Sequence, residues 1–244
     1  MVSKSRSTKV SINQVPAHLA LIPDGNRRWS KLHRFALFRG YEAGVRKFVD
    51  FGVWAKGFGV KTLTVWALST DNMTGRSKME IGTLYSLYIK AARDPKILEI
   101  LQKNHTRIKV VGNLTDLPKK VKEAFRYLEG KTRTYKEFTI NLLVGYGGRD
   151  DMIYALRKIH TESATHPNMK IDEQTMRRNI RTASVPDVDL LIRTSGEMRL
   201  SGFLPWQSDY SELYFTKKFW PDFEKTDLEK ALKVFSQRKR RFGK

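Results

Sequence analysis

The sequence predicts a single α/β domain with a central, mostly parallel β-sheet that is covered by helices on both faces. Short segments rich in β-branched and apolar residues alternate with longer segments of helical periodicity. Four of the predicted strands end in polar or glycine-rich turns. The chain has 244 residues, of which 40% are hydrophobic, and this is enough to bury one full core. We therefore expect one domain over residues 17–244, preceded by a basic, flexible tail over residues 1–16.

The first predicted strand, His18–Ile22, runs into a cluster of polar groups. It is short, apolar and bounded by prolines, which fits a buried parallel strand. Asp24 supplies a hard oxygen ligand, and Gly25 lets a phosphate approach the backbone. Hydrogen-bond donors follow where a helix would begin, at Asn26, Arg27 and Arg28. The alternative interpretation is a solvated Asp-Gly turn with a basic flank.

The remaining elements follow in alternation. Strands are predicted over residues 60–68, 107–111, 138–144, 188–192 and, at an edge, 213–215. Helices are predicted over residues 43–58, 79–103 with a break at Asp94-Pro95, 117–128, 151–160, 171–181 and 227–241. The apolar stripe over residues 84–101 is typical of a core, and it is equally compatible with the lining of a hydrocarbon tunnel.

The formal net charge of +21 indicates an anionic partner, which is nucleic acid, an anionic membrane surface or a polyanionic small substrate. No zinc finger, RNP-type strand or basic zipper accompanies the basic residues, so we expect no nucleic acid. The chain has no cysteine, which excludes disulfides and thiolate zinc sites and favours a reducing compartment. The N-terminus has no signal peptide, and no run reaches the roughly 20 apolar residues that span a bilayer. We therefore expect a cytoplasmic protein, with peripheral membrane contact left open.

A second polar cluster follows the strand predicted over residues 188–192. Arg193, Arg199 and Ser201 offer guanidinium and hydroxyl groups that suit a diphosphate, because guanidinium pairs bidentately with phosphate oxygens. Glu212 is a second carboxylate that could share a divalent ion with Asp24. Right-handed crossovers place the carboxyl ends of parallel strands at one edge of the sheet, so we expect the two clusters to converge.

Four motifs carry a resemblance to a known family: H-L-A-L-I-P-D-G-N-R-R-W, the A-L-S-T-D-N turn at residues 67–72, G-Y-G-G-R at 145–149, and D-L-L-I-R-T-S-G-E-M-R-L-S followed by S-E-L-Y-F. Over residues 18–243 the chain resembles the cis-prenyltransferases of the undecaprenyl diphosphate synthase family. The resemblance implies a hydrophobic tunnel for a prenyl chain. It also implies magnesium-dependent condensation of isopentenyl diphosphate with an allylic prenyl diphosphate, giving a Z-configured polyprenyl diphosphate.

The resemblance also implies roles for individual residues. Asp24 would bind magnesium as the central catalytic residue, with assistance from Glu212, and Ser69 and Asn72 would assist proton removal. The allylic diphosphate would lie against Gly25, Asn26, Arg27, Arg28 and Trp29. The isopentenyl diphosphate would lie against Arg193, Arg199 and Ser201. The C-terminal Arg241 and Gly243 resemble the family's R-x-G ending, which reaches a neighbouring subunit's site, and this implies a homodimer; otherwise these residues are a frayed basic tail.

Several positions depart from the family pattern, mostly on the allylic side. They are Leu37, Tyr41, Met73, Gly145, Met198 and Gly202. Arg39 or Arg76 could compensate for the lost donor-site groups. An irregular coupling, or transfer to a different acceptor, is therefore the second enzymatic hypothesis. A non-catalytic binding subunit is disfavoured because Asp24, Arg193, Arg199 and Glu212 are present.

Overall fold

A single six-stranded sheet forms the centre of the molecule. The computed structural model describes residues 14–238. The strands are β1 His18–Ile22, β2 Thr62–Ser69, β3 Thr106–Val111, β4 Phe138–Tyr146, β5 Leu190–Arg193 and β6 Glu212–Phe215. Their order is β3-β4-β2-β1-β5-β6, and every pair is parallel. The predicted fold class is confirmed.

Helices connect the strands. They are α1 Asn26–Leu32, α2 Leu37–Gly57, α3 Thr70–Gly75, α4 Lys78–Arg93, α5 Pro95–Lys103, α6 Lys119–Thr132, α7 Gly148–Thr165, α8 Glu173–Asn179 and α9 Lys225–Gln237, with a 3₁₀ turn at Trp220–Asp222. Among residues 14–238, none of these helices combines the length and the apolar character needed to cross a membrane.

Strand β1 shows why both faces of the sheet are covered. Its residues are all buried, with alternate side chains in two separate clusters. Leu19 and Leu21 belong to a cluster with Phe51 of α2. Ala20 and Ile22 belong to a cluster with Leu143, Phe203 and Leu204. Since successive side chains of a strand point to opposite faces, a continuously apolar strand requires packing on both sides.

The predicted ends of the helices agree best with the structure where a proline or a capping side chain marks them. The break at Asp94 is confirmed, because its carboxylate accepts a hydrogen bond from Lys96 N at 2.8 Å and caps α5. Helix α2 begins at Leu37, six residues before the predicted start at residue 43. The added turns include Gly40, whose missing Cβ leaves room for Ser30 Oγ and the carbonyl of Asn26 on α1. A glycine that normally weakens a helix is here the point of close contact between two helices.

Other predicted segments also differ from the structure; the helices predicted over 117–128 and 151–160 are Lys119–Thr132 and Gly148–Thr165. The polar turn after β2 is the start of helix α3, because Ser69 Oγ accepts a hydrogen bond from Asn72 N at 3.0 Å and caps the helix. The helix predicted over 171–181 is shorter, at Glu173–Asn179. The helix predicted over 227–241 is Lys225–Gln237, because Arg238 already has an extended backbone and ends it. Most of the predicted 1–16 tail lies outside the described residues.

Candidate active site

A cavity of about 410 Å³ opens where strands β1, β2 and β5 end. Its polar mouth includes Asp24, Ser69, Asn72, Arg193 and Ser201. The structure therefore brings together the polar groups that the sequence places after three separate strands. This convergence follows from the parallel order of the sheet, in which β1 lies between β2 and β5.

The rest of the cavity is mostly apolar and runs along the sheet. Helices α2, α4 and α5 supply much of this lining, which includes Val45, Val49, Leu84, Ala91, Ile97 and Leu101. The lining continues to Asn104 and to Thr106, the first residue of β3. The strand registers place Thr106 about five residues from Ile22 toward the amino ends of the strands, which is roughly 16 Å. The cavity thus joins a polar mouth to a long apolar interior.

Asp24 lies at the centre of the mouth. Its Oδ1 accepts a hydrogen bond from Gly25 N at 2.6 Å, and its Oδ2 accepts one from Arg193 Nη2 at 3.1 Å. Arg28 Nη2 lies 3.4 Å from the same Oδ2. Two further bonds fix its main chain, because the carbonyl accepts from Thr194 Oγ1 at 2.7 Å and from Trp220 N at 3.0 Å. The carboxylate is therefore held by two guanidinium groups at Oδ2 and by a backbone amide at Oδ1.

Gly25 makes the sharp turn that starts helix α1. Its φ of +102° lies in the region that favours glycine. A Cβ at this position would come within 2.8 Å of both Ser195 Oγ and Phe219 Cδ1. The adjacent Asn26 lines the cavity and donates to the carbonyl of Pro23 at 3.2 Å. The turn and the packing of Ser195 and Phe219 therefore require glycine at this position, while the approach of a phosphate to its backbone stays a prediction.

Arg193 ends β5 beside the end of β1, where it pairs in register with Ile22. Its side chain is only 6% exposed. One Nη donates to Ser201 Oγ at 2.9 Å and to the carbonyl of Arg199, and the other donates to Asp24. The guanidinium is buried and oriented from three sides. It therefore presents a fixed positive charge to the cavity mouth.

Arg199 is placed differently, with a side chain that is 62% exposed. It pairs with Glu197, whose Oε1 also accepts from Arg28 Nη1 at 3.0 Å. Hydrogen bonding and charge from Arg199, and then from Arg28, hold the pKa of Glu197 below its ordinary value. Glu197 therefore links the two sets of arginines that the sequence assigns to separate diphosphates. Sequence reasoning missed it, since nothing in its neighbourhood distinguishes it from a surface acid.

Ser69 and Asn72 lie together on the other side of the mouth. Both line the cavity, and Ser69 Oγ is the cap of helix α3. The cap fixes the distance between the two residues at one helical turn. The structure thus places them as predicted, while their roles in proton removal stay a prediction.

We call the part of the mouth expected to bind the allylic diphosphate the donor side. It contains a cluster of side chains that sequence reasoning missed. Tyr41 donates its hydroxyl hydrogen bond to Oε1 of Glu80, and the Nε of Arg76 lies 3.3 Å from the same oxygen. Arg76 Nη1 in turn donates to the Tyr41 hydroxyl at 3.1 Å. Burial first, and the bond to Glu80 second, raise the pKa of Tyr41. The phenol therefore stays protonated and acts as a donor.

The mouth does not include every predicted binding residue. Arg39 is exposed, and its guanidinium lies 5.5 Å from the centroid of the Phe35 ring. Trp29 Nε1 donates to Asp222 Oδ1 at 2.6 Å, and Trp29 does not belong to the cavity lining. Arg27 is largely exposed, with its Nε 3.9 Å from Glu80 Oε1. Of the two arginines expected to compensate on the donor side, Arg76 is the one that lines the cavity.

Glu212 is distant from Asp24 within this chain. It begins β6, where it pairs with Leu190, and so lies at the amino end of the sheet. Asp24 follows the carboxyl end of β1, roughly 10 Å or more away along the strands. Glu212 is instead paired with Arg238. The single chain does not bring the two carboxylates to one metal ion, so the shared-ion role stays a prediction; Arg241 and Gly243 lie outside the described residues.

The other departures from the expected pattern, Leu37, Met73, Gly145, Met198 and Gly202, do not belong to the cavity lining. Gly145 lies near the end of β4, where the register with β2 shifts between Val144 and Tyr146. Its φ is +58° and its carbonyl accepts from Asn113 N at 3.0 Å, so this irregularity in the strand favours glycine. The carbonyl of Gly202 accepts from Gly148 N at 2.8 Å. Leu37 and Met73 pack at the edge of the hydrophobic cluster that contains Tyr41. Met198 is 77% exposed.

Comparison with known proteins agrees with this geometry. The family model described as "Putative undecaprenyl diphosphate synthase" matches residues 22–243. A tritrans,polycis-undecaprenyl-diphosphate synthase (GGDP specific) of Sulfolobus acidocaldarius is 39% identical, over 93% of this chain and 88% of that protein. An isoprenyl transferase of Thermotoga maritima is 38% identical, over 94% of this chain and 97% of that protein. The crystal structure of lavandulyl diphosphate synthase from Lavandula x intermedia, in complex with dimethylallyl diphosphate, is similar with a TM-score of 0.88 and 36% identity, covering 94% of this chain and 99% of that chain.

Proposed function

The chain belongs to the undecaprenyl diphosphate synthase family of cis-prenyltransferases, and we propose that it condenses isopentenyl diphosphate with an allylic prenyl diphosphate to give a Z-configured polyprenyl diphosphate. One observation carries the proposal. The cavity joins an arginine-rich mouth around Asp24 to an apolar interior that reaches Leu101. This arrangement suits an amphipathic substrate that has an anionic head and a hydrocarbon tail.

The polar mouth divides into two groups of diphosphate ligands. The allylic diphosphate would be bound by Gly25, Asn26, Arg27, Arg28 and Arg76. The isopentenyl diphosphate would be bound by Arg193, Arg199 and Ser201. Arginine suits both sites, since its planar fork donates two hydrogen bonds to phosphate oxygens. Asp24 contacts one arginine of each group, because Arg28 and Arg193 both approach its Oδ2.

The donor set of the mouth fits magnesium. Asp24 is a hard oxygen ligand, and among residues 14–238 no cluster of three or more His, Cys, Asp or Glu side chains forms a complete metal cage. Mg²⁺ is commonly held by one or two carboxylates together with substrate phosphates. Asp24 would therefore hold the ion jointly with a bound diphosphate. When bound, the ion supplies positive charge that stabilises the leaving diphosphate.

The proposed reaction breaks one bond and forms another. The C–O bond of the allylic diphosphate breaks, and its electron pair leaves with the diphosphate. The double bond of isopentenyl diphosphate supplies the pair for the new C–C bond, and loss of a proton restores a double bond in Z geometry. Arg27, Arg28 and Arg76 stabilise the charge that develops on the leaving group. Ser69 and Asn72 assist removal of the proton.

The apolar interior would hold the growing prenyl chain as a tunnel. Its lining residues Ala91, Ile97 and Leu101 lie progressively farther along α4 and α5. A chain that lengthens from the mouth would extend in this direction, away from water. Burial of each methylene group contributes about 0.8 kcal/mol.

Incubation with labelled isopentenyl diphosphate and allylic primers of several lengths tests the proposal. We expect Z-configured products in magnesium. Asp24→Ala should lower turnover by orders of magnitude while the circular dichroism spectrum stays that of the wild type, because the lost group acts chiefly as the diphosphate departs. Near-normal turnover of this variant would contradict the assignment.

Irregular coupling is the second candidate. The solved structure with a TM-score of 0.88 is a lavandulyl diphosphate synthase, and the donor side of this chain departs from the family pattern at Leu37 and Tyr41. The same incubation separates the two reactions. A product formed from dimethylallyl diphosphate alone, without isopentenyl diphosphate, would favour irregular coupling.

We propose that the protein is a homodimer. Helix α7 exposes Ile153 at 47% and Leu156 at 51%, and exposed apolar side chains on one helix favour a covered face. The predicted C-terminal contact through Arg241 and Gly243 would bring a second subunit to the mouth. Light scattering should give twice the chain mass. The double variant Ile153→Ser/Leu156→Ser should shift it toward the monomer, and a mass of one chain for the wild type would contradict the proposal.

We also propose contact with an anionic membrane surface. The basic N-terminal tail and the basic segment over residues 237–244 have the charge for this contact, and both lie mostly outside the described residues. In the described part, Leu32, Phe35 and Phe38 are 67%, 40% and 43% exposed. Basic residues alternate with them, at Lys31, Arg34 and Arg39, and no acid occurs between Gly25 and Tyr41. Such a segment suits a bilayer interface, where each basic residue contributes about 1 kcal/mol.

Sedimentation with vesicles tests the membrane contact. Binding to phosphatidylserine-containing vesicles should exceed binding to neutral vesicles and fall at high salt. Leu32→Ser/Phe38→Ser should weaken it. The matched control is Ile171→Ser, which removes another exposed apolar side chain, 62% exposed, from a loop beyond α7. Equal binding to neutral and anionic vesicles would contradict the electrostatic contact.

A further inference from the structure

Three side chains on the donor side are joined to one buried carboxylate. Glu80, in the first turn of α4, is 7% exposed. It accepts from the Tyr41 hydroxyl and lies 3.3 Å from Arg76 Nε. Arg27 Nε is 3.9 Å from the same Oε1. A buried carboxylate requires such partners, because an unpaired buried charge is strongly destabilising.

The position of Glu80 relative to the cavity is informative. Tyr41 and Arg76 both line the cavity, whereas Glu80 lies behind them and is not part of the lining. Its own backbone is fixed, because Glu80 N donates to Ser77 Oγ at 3.2 Å at the start of α4. Glu80 therefore contacts two groups that face the substrate space without facing it itself.

We propose that Glu80 and Tyr41 are positioning residues that orient Arg76 toward the allylic diphosphate. The inference rests on the proposed prenyl transfer and deepens it. An arginine side chain loses rotational freedom when it binds phosphate, and this loss weakens binding unless the side chain is already fixed. Two contacts fix Arg76 before substrate arrives, namely the ion pair through Nε and the hydrogen bond from Nη1 to Tyr41.

Electrostatics gives the opposite expectation if Glu80 has no positioning role. The carboxylate would then only repel a diphosphate across a few ångströms, and removing its charge would tighten binding. The two effects therefore predict opposite signs for the same substitution. This makes the conservative change Glu80→Gln decisive.

Steady-state kinetics provide the test. Glu80→Gln and Tyr41→Phe should each raise KM for the allylic diphosphate about tenfold, corresponding to one lost charge-assisted contact. KM for isopentenyl diphosphate and kcat should stay within about threefold of the wild type. In an Arg76→Ala background, Glu80→Gln should have no further effect on the allylic KM, since it acts through Arg76.

Glu42→Gln is the matched control. Glu42 follows Tyr41 on α2 and is ion-paired with Arg46 and Lys90, but it does not line the cavity. Its substitution should leave both KM values unchanged. A lower or unchanged allylic KM in Glu80→Gln, or an equal rise in both KM values, would overturn the inference.

A second readout does not depend on turnover. Calorimetric titration with inorganic diphosphate should show weaker binding to both Tyr41→Phe and Glu80→Gln than to Glu42→Gln. Should Glu80→Gln fail to fold, Tyr41→Phe carries the test by itself, because it removes one hydroxyl and keeps the ring. If the wild type forms no prenyl product from any primer, the proposed function fails, while the titration still decides the positioning role.

Discussion

Arg193 and Arg199 are both proposed to bind isopentenyl diphosphate, at what we call the acceptor side, and comparing their alanine variants separates binding from stability. Both are predicted ligands of the isopentenyl diphosphate, but Arg193 is 6% exposed and Arg199 is 62% exposed. Each substitution to alanine removes charge-assisted bonds to a diphosphate, which contribute about 1.5–3 kcal/mol. Since 1.4 kcal/mol is a factor of ten, KM for isopentenyl diphosphate should rise roughly tenfold to a hundredfold in both variants.

The two variants should differ in stability. Arg193→Ala breaks a buried ion pair with Asp24 and two further hydrogen bonds, and breaking a buried pair costs about 3–5 kcal/mol. Because the Asp24 side chain is 30% exposed, water offsets part of this loss, and we expect about 3 kcal/mol. For a chain of this size that corresponds to a fall in Tm of about 6–12 °C. Arg199→Ala removes an exposed ion pair, which is screened by water, so its Tm should stay close to that of the wild type.

Kinetics and thermal unfolding on the same preparations check this prediction. The expected result is similar KM effects with a large Tm difference. Equal losses of Tm in Arg193→Ala and Arg199→Ala would refute the reasoning from burial. If only KM for the allylic substrate rose, the two diphosphates would be assigned to the wrong sites. Arg193→Lys keeps the charge and provides a milder variant for the same comparison.

Three further predictions follow from local geometry. Gly25→Ala should destabilise the fold by about 1–3 kcal/mol, measured by urea unfolding, because φ is +102°; unchanged stability would contradict the strain. Ala91→Phe should narrow the cavity and shorten the products on thin-layer chromatography, whereas exposed Ala164→Phe should not; equal product lengths would exclude the tunnel. Burial lowers the pKa of His18, so the unfolded state binds a proton first and stability should fall as pH drops below about 6.5. His18→Asn should reduce this slope in pH-dependent melts, and exposed His160→Asn should leave it unchanged.

The convergence of Asp24 and Arg193 at the cavity mouth was predictable from sequence because both lie at strand ends, while their binding of diphosphate stays a prediction. Asp24 and Arg193 directly follow or end apolar strands, and the parallel arrangement brings strand ends together. Arg76 was predicted only as an alternative to Arg39, since the sequence does not show which of the two arginine side chains lines the cavity. The structure places Arg76 in the cavity lining and Arg39 against Phe35.

The positions of Glu80 and Glu212 in the fold could not be predicted from the local sequence pattern. Glu80 meets Tyr41, 39 residues earlier in the chain, only because α2 packs against α4. Glu212 was expected beside Asp24 because both are acids near motif residues. Its actual place depends on the register of β6, where it pairs with Leu190 at the amino end of the sheet. Helix packing and strand register are tertiary properties that neither periodicity nor spacing specifies.

The same distinction explains where this chain departs from its family. Arg193 is fixed by the sheet, so a change there disturbs β5 and the contact with Asp24. The donor side is built from the first turns of helices α1, α2 and α4, whose side chains can be exchanged while the sheet stays intact. Leu37 and Tyr41 both lie in the first turns of α2. A change of donor preference therefore requires only new helix contacts, such as those of Tyr41 with Glu80 and Arg76, and leaves the acceptor side in place.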